Sequence, residues 1–352
     1  MNIFEKMTEI ERIIKKGIFS ESFFKPELIC DFQVDTTRKK VWAIEIDLLL
    51  EIDRVCKRYG LRYFLAFGSL LGAVRHHGFI PWDDDMDIVM PREDYQELWM
   101  HAEEFKEPYF FQTPLSDPSF CFAHARLRNS NTCAIQRPFC DCKYNMGMFI
   151  DILPLDAISK DQRGRDIFNK LQKLLIDSST SMKAYTKCLN ERDKTRVLNL
   201  TPVNPVFRFE KIQQLAQTFD IEKEEYVFQS MALVYGFDRS VLKKEDFSKS
   251  IDMNFEGYSF PIPIGYDDIL KTIYGNYQDF PPIEKRGVWH GEVWFDMEKS
   301  YLAVKKEKEY NIWANTIIIW SATVCNFYNI HAWTPPVIQF RCDSSIPCIN
   351  KR

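Results

Sequence analysis

A cluster of aspartates that runs directly into an apolar strand places the strongest constraint on this chain. Four aspartates stand within residues 83–87, and the apolar residues 88–90 follow at once. Side chains two residues apart in a strand share one face, so Asp85 and Asp87 are predicted to point the same way, joined by Asp83 if the strand extends back that far. Neighbouring carboxylates repel, and a hard divalent cation such as Mg²⁺ removes that cost by accepting oxygen ligands. The pattern therefore predicts a sheet that presents metal-binding carboxylates.

Aspartates two positions apart also occur in solvated turns and at helix N-termini, so the surrounding sequence decides. The apolar run Tyr63–Phe67 is predicted to be a buried strand, and Gly68 and Ser69 follow it. Glycine lets the backbone approach a phosphate, and Ser69 with the N-terminus of the following helix supplies hydrogen-bond donors. A further carboxylate, Asp151, stands inside the apolar run 148–153, where it is costly unless it binds a metal, an arginine or the backbone. These parts together match the plan of nucleotidyltransferases, in which carboxylates hold metal ions that bridge phosphates.

The whole stretch Phe67–Ile88 closely resembles the signature of the LicD family. That family includes bacterial phosphorylcholine transferases and is related to fukutin and fukutin-related protein. The resemblance continues at Gly147–Asp156, Phe255–Gly257, Leu270–Tyr277 and Pro281–Pro282, and it covers roughly residues 38–295. A match of this length and specificity is not expected by chance.

The resemblance implies a phosphotransferase that depends on Mg²⁺ or Mn²⁺. Such an enzyme transfers a phospho-alcohol group from a CDP-linked donor, for example CDP-choline, and releases CMP. The acceptor is a hydroxyl of a cell-surface glycan, a lipopolysaccharide or a teichoic-acid precursor. The transferred alcohol is left open, with choline, ethanolamine, ribitol, glycerol or a sugar as the alternatives.

The resemblance also implies roles for the acidic residues. The family's paired carboxylates bind the metal ion, which implies this role for Asp85 and Asp87, with Asp83 as a helper. Asp151 matches the family's third acidic position and is also expected to bind the metal or to activate the acceptor hydroxyl as a general base. Asp85, Asp87 and Asp151 are therefore the expected catalytic residues.

Several further residues are expected to bind the donor. Gly68 and Ser69 are expected to form the turn at which the backbone approaches a donor phosphate. Family members often have threonine at the position of Ser69, and serine keeps the hydroxyl group. Arg75 and Arg126 are expected to neutralise donor phosphates; Arg126 stands in a stretch where family members often have lysine, and arginine holds a phosphate as a fork. His290 follows the Pro-Pro turn and is expected as a late active-site residue.

Two other functions remain open from the sequence. The same fold supports nucleotidyl transfer, in which pyrophosphate rather than CMP would be released. A non-catalytic binding protein could also keep the fold, although such a protein has no reason to maintain three costly carboxylates.

The pattern of apolar residues predicts an α+β fold, in which a nucleotidyltransferase-like mixed sheet is flanked by helices and the C-terminal half is mainly helical. The expected elements are helices at 36–59, 92–104 and 266–274, strands at 63–67 and 147–153, a hairpin of 121–127 with 132–135, and a mainly helical subdomain at about 160–250. The expected organisation is a lead-in at 1–35, a catalytic domain at 36–300, and a tail of unknown role at 301–352.

The tail differs from the rest of the chain in composition. After Glu309 no Asp, Glu, Lys or Arg occurs before Arg341, and residues 312–327 are strongly apolar. This run is shorter than the stretch of about 20 residues that crosses a membrane comfortably. A helix or strand packed on the domain is the favoured interpretation, and a membrane-touching tail is the alternative.

Charge and targeting features limit the partners and the compartment. With 46 basic and 50 acidic residues the net charge is −4, which argues against a nucleic-acid-binding protein. Glu5, Glu9 and Glu11 interrupt any apolar signal-peptide core. The expected location is cytoplasmic, and the lipid-linked acceptors of the family imply work at the inner face of the cytoplasmic membrane with peripheral membrane contact.

Ten cysteines without a C-x-x-C pair do not form a disulfide framework and are typical of a reducing compartment. Cys121, Cys133, Cys140 and Cys142 lie near one another in sequence, so a structural zinc site is an alternative to ordinary thiols. Their spacing fits no common zinc finger.

Overall fold

A curled mixed sheet organises the protein, and helices cover it. The computed structural model describes residues 7–136, 139–140, 142–177, 204–230, 235–287 and 293–308. Its helices are α1 (Glu9–Lys15), α2 (Thr36–Tyr59), α3 (Phe67–His76), α4 (Arg92–Met100), α5 (Gln162–Asp177), α6 (Pro205–Ala216), α7 (Phe237–Ser240), α8 (Tyr266–Tyr274) and α9 (Tyr301–Lys308). The predicted α+β fold with a mixed sheet between helices is confirmed.

The strands are short, apart from one that runs through the centre of the sheet. They are β1 (Glu27–Ile29), β2 (Phe32–Val34), β3 (Phe64–Leu65), β4 (Asp87–Pro91), β5 (Tyr109–Gln112), β6 (Ala125–Asn129), β7 (Cys133–Gln136), β8 (Met148–Ile158), β9 (Tyr226–Gln229), β10 (Val241–Lys243), β11 (Ser250–Phe255), β12 (Tyr258–Pro263) and β13 (Val293–Asp296). The main sheet has the order β10-β9-β8-β4-β3, and β6 pairs with both β8 and β5.

The central strand β8 sets the geometry of the sheet. Strand β4 runs parallel to it on one edge. On the other edge β6 and then β9 pair with it antiparallel, β6 along residues 148–152 and β9 along residues 155–158. Two antiparallel strands therefore share one edge of β8, which lets the sheet branch and curl.

The expected hairpin of residues 121–127 with 132–135 is wrong. Strand β7 pairs with β13 instead, and both edges of β6 are occupied by β5 and β8. The short turn between β6 and β7 suggested a hairpin, but residues 126–129 of β6 are paired on both edges and leave none for β7.

Helix α2 spans the residues predicted for it and forms one wall of the core. Asp35 caps its N-terminus by accepting a hydrogen bond of 2.8 Å from the backbone N–H of Arg38. Gly60 ends it in the left-handed conformation with φ 69°. The apolar residues at helical spacing are all buried, namely Val41, Ile44, Leu48, Ile52 and Val55.

The N-terminal lead-in packs on this helix. Ile13 of α1 is fully buried in the main core. Arg12 pairs with the buried carboxylate of Asp47 in α2 and lies 3.0 Å from the hydroxyl of Tyr109. Residues 7–35 therefore contribute to the same core as the domain that follows.

The region at 160–250 combines helices with strands. In its described parts α5 and α6 are helical as expected, and β9 and β10 additionally extend the main sheet. Residues 178–203 lie outside the described residues, as does the tail from residue 309 onward. None of the helices in the described part of the chain has the length and apolar character needed to cross a membrane.

Candidate active site

The first turn of α3 lies against the acidic cluster. Its first residue, Phe67, has a positive φ of 45°. At the next residue, Gly68, a Cβ would stand 2.5 Å from the carboxylate oxygen Oδ2 of Asp83. A side chain at this position would displace the Asp83 carboxylate, which packs directly on the backbone of the helix N-terminus, where the helix dipole favours negative charge.

Ser69 positions the strand that carries the acids. Its buried hydroxyl oxygen accepts a hydrogen bond of 2.9 Å from the backbone N–H of Asp87. The backbone carbonyl of Asp87 in turn accepts from the N–H of Ala66, at 3.0 Å. The start of α3 and the start of β4 are thus joined by two hydrogen bonds, and Ser69 serves the protein's own backbone at this site.

Helix α2 holds the acidic cluster from the other side. The backbone carbonyl of Asp83 accepts hydrogen bonds from the guanidinium of Arg38 at 2.6 Å and from the indole N–H of Trp42 at 3.2 Å. The loop before β4 is therefore fixed to a buried helix, although it has no regular secondary structure.

Three of the predicted residues form a row across neighbouring strands. Asp87 of β4 is paired in register with Asp151 of β8, and Asp151 is paired in register with Arg126 of β6. Residues in register on adjacent strands project from the same face of a sheet. The structure therefore brings Asp87, Asp151 and Arg126 side by side.

The carboxylate of Asp151 contacts two side chains, those of Arg126 and His124. The guanidinium Nε of Arg126 donates to its Oδ1 at 2.5 Å, and the Nε2 atom of His124 lies 3.1 Å from the same oxygen. Burial opposes ionisation of Asp151, but the charges and hydrogen bonds of Arg126 and His124 outweigh it and lower the pKa of Asp151 well below its usual range. Asp151 is therefore a carboxylate throughout the physiological pH range.

Two phenyl rings clamp the side chain of Arg126. Its guanidinium carbon lies 4.1 Å from the ring centre of Phe122 and 3.9 Å from that of Phe149. Arg126 is only 3% exposed, and its Nη1 atom is buried without a hydrogen-bond partner among the described residues. A guanidinium held in this way has a fixed orientation and one donor nitrogen that the protein does not use.

A second arginine lies deeper on the same face of β6. Arg128 is fully buried and donates to Gln112 and, at 2.7 Å, to the backbone carbonyl of Gly147. Burial, together with the neighbouring charge of Arg126, lowers the pKa of Arg128 to about 9. Arg128 therefore supports the region structurally behind Arg126.

Two tyrosines border the acidic cluster. The hydroxyl oxygens of Tyr235 and Tyr274 lie 3.3 Å apart, and the ring of Tyr235 stacks on Phe67 at 5.8 Å. Burial and the negative charges of Asp87, Asp83 and Asp85 raise the pKa of Tyr235 to about 12. All three aspartates therefore act on one point at the edge of the site, as expected for a single acidic cluster.

The remaining predicted residues lie apart from the row or outside the described residues. Arg75, at the end of α3, donates to the backbone carbonyls of Tyr277 at 2.7 Å and Asp279 at 3.2 Å. This arginine thus ties down the loop that follows α8, and its expected contact with donor phosphate stays a prediction. His290 lies outside the described residues.

The acids were predicted to hold a metal ion from one face of a strand, but only Asp87 lies in β4, and Asp85 stands in the loop before it. Within the described ranges no three His, Cys, Asp or Glu side chains are grouped so as to hold a metal ion. Mg²⁺ is usually bound by one or two carboxylates together with substrate phosphates, so a role for Asp85 and Asp87 needs no third protein ligand and stays a prediction. The zinc alternative gains no support from the described cysteines, since Cys121 and Cys133 are buried in an aromatic cluster.

Phe122 and Phe149 were not predicted from the sequence as parts of the site, whereas His124 stands with Arg126 in the stretch where the family often has lysine and was given no role of its own. The alternation of a strand gives a signal for His124, because it stands two positions before Arg126 and shares its face. The two phenylalanines gave no signal of their own, since the chain contains 28 of them.

A mixed sheet that presents a row of carboxylates beside a helix N-terminus defines a nucleotidyltransferase-type domain. Comparison with known proteins agrees, since residues 60–180 match the sequence model of the LicD/FKTN/FKRP nucleotidyltransferase domain. The lipopolysaccharide cholinephosphotransferase LicD of Haemophilus influenzae is 29% identical over 263 residues, which are 72% of this chain and 96% of that protein. The ribitol 5-phosphate transferase FKRP of mouse and of human is 52% identical over 40 residues, 11% of this chain and 8% of each relative.

The chain is therefore similar to the LicD family, over residues 60–180 by the domain model and over 72% of its length by the similarity to LicD. The two kinds of relative with named activities are both phosphotransferases by name, so this is a family of enzymes.

Proposed function

We propose that this protein transfers a phospho-alcohol group from a CDP-linked donor to a hydroxyl of a glycan or lipid-linked glycan, in a reaction that needs Mg²⁺ or Mn²⁺ and releases CMP. The observation that carries the proposal is the row of Asp87, Asp151 and Arg126 across three adjacent strands. It combines carboxylates suited to a metal with a buried guanidinium suited to a phosphate.

In this proposal the acids and the arginine have separate tasks. Asp85 and Asp87, with Asp83 beside them, would hold the metal ion. The bound metal would offset the negative charge of the donor diphosphate and of the leaving CMP. The clamped guanidinium of Arg126, with its unused Nη1, would contact an oxygen of the transferred phosphate. Asp151, which contacts Arg126 and His124, would bind the metal or activate the acceptor hydroxyl as a general base.

The acceptor and the location follow from the relatives rather than from the site. The names of those relatives refer to lipopolysaccharide, choline phosphate and ribitol phosphate. We infer that this chain also acts on a cell-surface glycan, a lipopolysaccharide or a teichoic-acid precursor. A lipid-linked acceptor would bring the protein to the inner face of the cytoplasmic membrane.

A calorimetric binding series tests the donor and the metal together. CDP-choline, CDP-ethanolamine, CDP-ribitol and CDP-glycerol are titrated into the wild-type protein with and without Mg²⁺, and into Asp85→Asn and Asp87→Asn. Binding of one CDP-alcohol that needs Mg²⁺ and is lost in both variants is the expected result. The variant Glu93→Gln, which changes an exposed carboxylate on α4, serves as the matched control.

Product analysis separates the alternative chemistry. Incubation of the donor with an acceptor glycan is expected to release CMP and to add one phospho-alcohol group to the acceptor, as seen by mass spectrometry. Release of pyrophosphate from a nucleoside triphosphate would instead identify a nucleotidyltransferase. Absence of both binding and turnover would identify a non-catalytic member of the family.

A further inference from the structure

The segment that leads into β6 is held by side chains instead of by a neighbouring strand. Residues 121–124 lie outside every strand in the described part of the chain. The guanidinium of Arg208 in α6 donates to the backbone carbonyl of Cys121, and the amide Nε2 of Gln213 donates to that of Ala123 at 3.0 Å. Buried backbone groups need partners, and here helix α6 supplies them.

Helix α4 completes this arrangement. The backbone N–H of Ala125 donates to the hydroxyl oxygen of Tyr95 at 2.9 Å. Residues 123–124 form a bend before β6, and α6 reaches the carbonyls of both Cys121 and Ala123. Side chains from two helices thus occupy the place that a strand would take.

Gln213 is locked by contacts on both ends of its amide group. Its Oε1 accepts from the Nη1 of Arg92 at 2.5 Å. Arg92 also forms a two-pronged ion pair with Asp156 of β8, and Ser230 donates to the same carboxylate at 2.5 Å. Because arginine only donates and the Ala123 carbonyl only accepts, the amide of Gln213 has a single possible orientation.

The side chains carried by this segment are those that set the geometry around Asp151. Phe122 forms one side of the clamp on Arg126. His124 lies 3.1 Å from Asp151. Each of them lies next to a carbonyl that α6 holds, so a shift of that carbonyl moves them directly.

We propose that Gln213 is a positioning residue for the transfer reaction. It fixes the backbone at Ala123 and thereby the placement of Phe122, His124 and the guanidinium of Arg126. This inference rests on the proposed function, since it assigns Gln213 a role in that reaction. The residue touches none of the reacting groups and acts only through the segment that it holds.

The variant Gln213→Glu separates positioning from packing. The carboxylate still accepts from Arg92, but it has no N–H to donate to the Ala123 carbonyl. The neighbouring residue Gln214 is exposed, so Gln214→Glu makes the same chemical change as a matched control. We expect Gln213→Glu to lower kcat about 10- to 100-fold while the KM for the CDP-alcohol stays unchanged, because misplacement remote from the reacting atoms costs rates of this order.

The thermal midpoints are measured for both variants alongside the kinetics. A wild-type kcat in Gln213→Glu would overturn the proposal. A loss of activity that merely equals the loss of folded protein would overturn it as well. If Gln213→Glu does not fold, Arg208→Lys is the second variant. It weakens the hydrogen bond to the Cys121 carbonyl and is expected to give the same kcat loss at constant KM.

A second measurement does not depend on activity. The chain has six histidines, so a protein labelled with ¹³C-histidine gives few ring signals, and His124→Asn assigns the one of interest. The His124 signal is expected to shift in Gln213→Glu and to stay in place in Gln214→Glu. An unmoved signal in Gln213→Glu overturns the positioning role. A shifted signal in a protein that uses no CDP-alcohol would leave the positioning intact and reject the proposed function.

Discussion

Residues 66–87 and residues 121–126 form two walls of the same site, and they are held in different ways. We call them the acid wall and the basic wall. In the acid wall the backbone N–H of Asp87 donates to the hydroxyl oxygen of Ser69, 18 positions earlier in the chain. In the basic wall the bond that holds Ala123 comes from Gln213, 90 positions away.

The two walls therefore depend on different parts of the chain. The acid wall is a short stretch of chain that carries its own chemical groups, and Arg38 and Trp42 of α2 hold it through the backbone carbonyl of Asp83. Changes of the acidic side chains within that stretch should therefore alter chemistry more than stability. The basic wall needs α6 to be folded and docked before Arg126 is correctly clamped. Four substitutions and conditions test this contrast, beginning with the largest effect.

Neutralising the central acid of the acid wall should abolish activity and leave the fold intact. For Asp87→Asn we expect kcat to fall by about 1,000-fold or more, since a metal ligand that neutralises phosphate charge contributes several kcal/mol. The free energy of unfolding should hardly change, because removing one charge from a group of like charges also relieves repulsion. Phosphotransfer assays and urea denaturation measure the two quantities. Retained activity would exclude Asp87 from the metal site.

Removing the charge of the basic wall should affect stability as well as activity. Arg126→Met leaves the Asp151 carboxylate without its main partner, which we expect to cost about 3 kcal/mol of the free energy of unfolding. Adding Asp151→Leu removes the stranded charge and should recover part of that loss. Urea denaturation of both proteins checks the sign. A single variant as stable as the wild type would show that the pair is less enclosed than described.

A smaller effect is expected at the link between α3 and β4. Ser69→Ala removes the hydroxyl that accepts from the buried N–H of Asp87, and an unsatisfied buried donor costs about 1–3 kcal/mol. Ser69→Thr keeps the oxygen and is expected to keep most of the stability and activity. Equal stability of the two variants would mean that another acceptor replaces the hydroxyl.

The smallest effect concerns pH and the far end of α3. Burial and the charges of Arg75 and His77 lower the pKa of His76 to about 4. The unfolded chain therefore binds a proton at this residue between about pH 6.5 and pH 4 that the folded chain does not, so stability falls as pH falls through that window. We expect about 1 kcal/mol of this loss to disappear in His76→Gln, as measured by denaturation at pH 7 and pH 4.5. An unchanged pH dependence would assign the loss to other groups.

The two walls also differ in how far the sequence predicted them. Gly68, Ser69 and the acids near Asp87 stand close together in the chain, and their spacing indicated a strand, a turn and an acidic strand. The structure adds that β4 and β8 are neighbouring strands in which Asp87 and Asp151 are paired in register. For this wall a local pattern was sufficient to indicate the acids, whereas the contacts of Asp83 with Arg38 and Trp42 of α2 were not predicted.

The basic wall could not be predicted in the same way. Arg126 was identified from a resemblance, yet its clamp consists of Phe122 and a ring from another strand, Phe149. The false hairpin at 121–127 has the same cause, since α6 holds the carbonyls of Cys121 and Ala123 while residues 125–127 pair with β8 and β5 rather than with the next strand along the chain. Apolar periodicity indicates which side chains are buried, but it does not tell which distant element buries them.

Helix α6 lies beyond residue 180, where the match to the family domain ends. The helix that holds the basic wall therefore lies outside the part of the chain that the domain model covers. A substitution in α6 changes the support of the Cys121 and Ala123 carbonyls while every residue of the acid wall stays the same. Variants of α6 can thus alter one side of the site without touching the acids on the other.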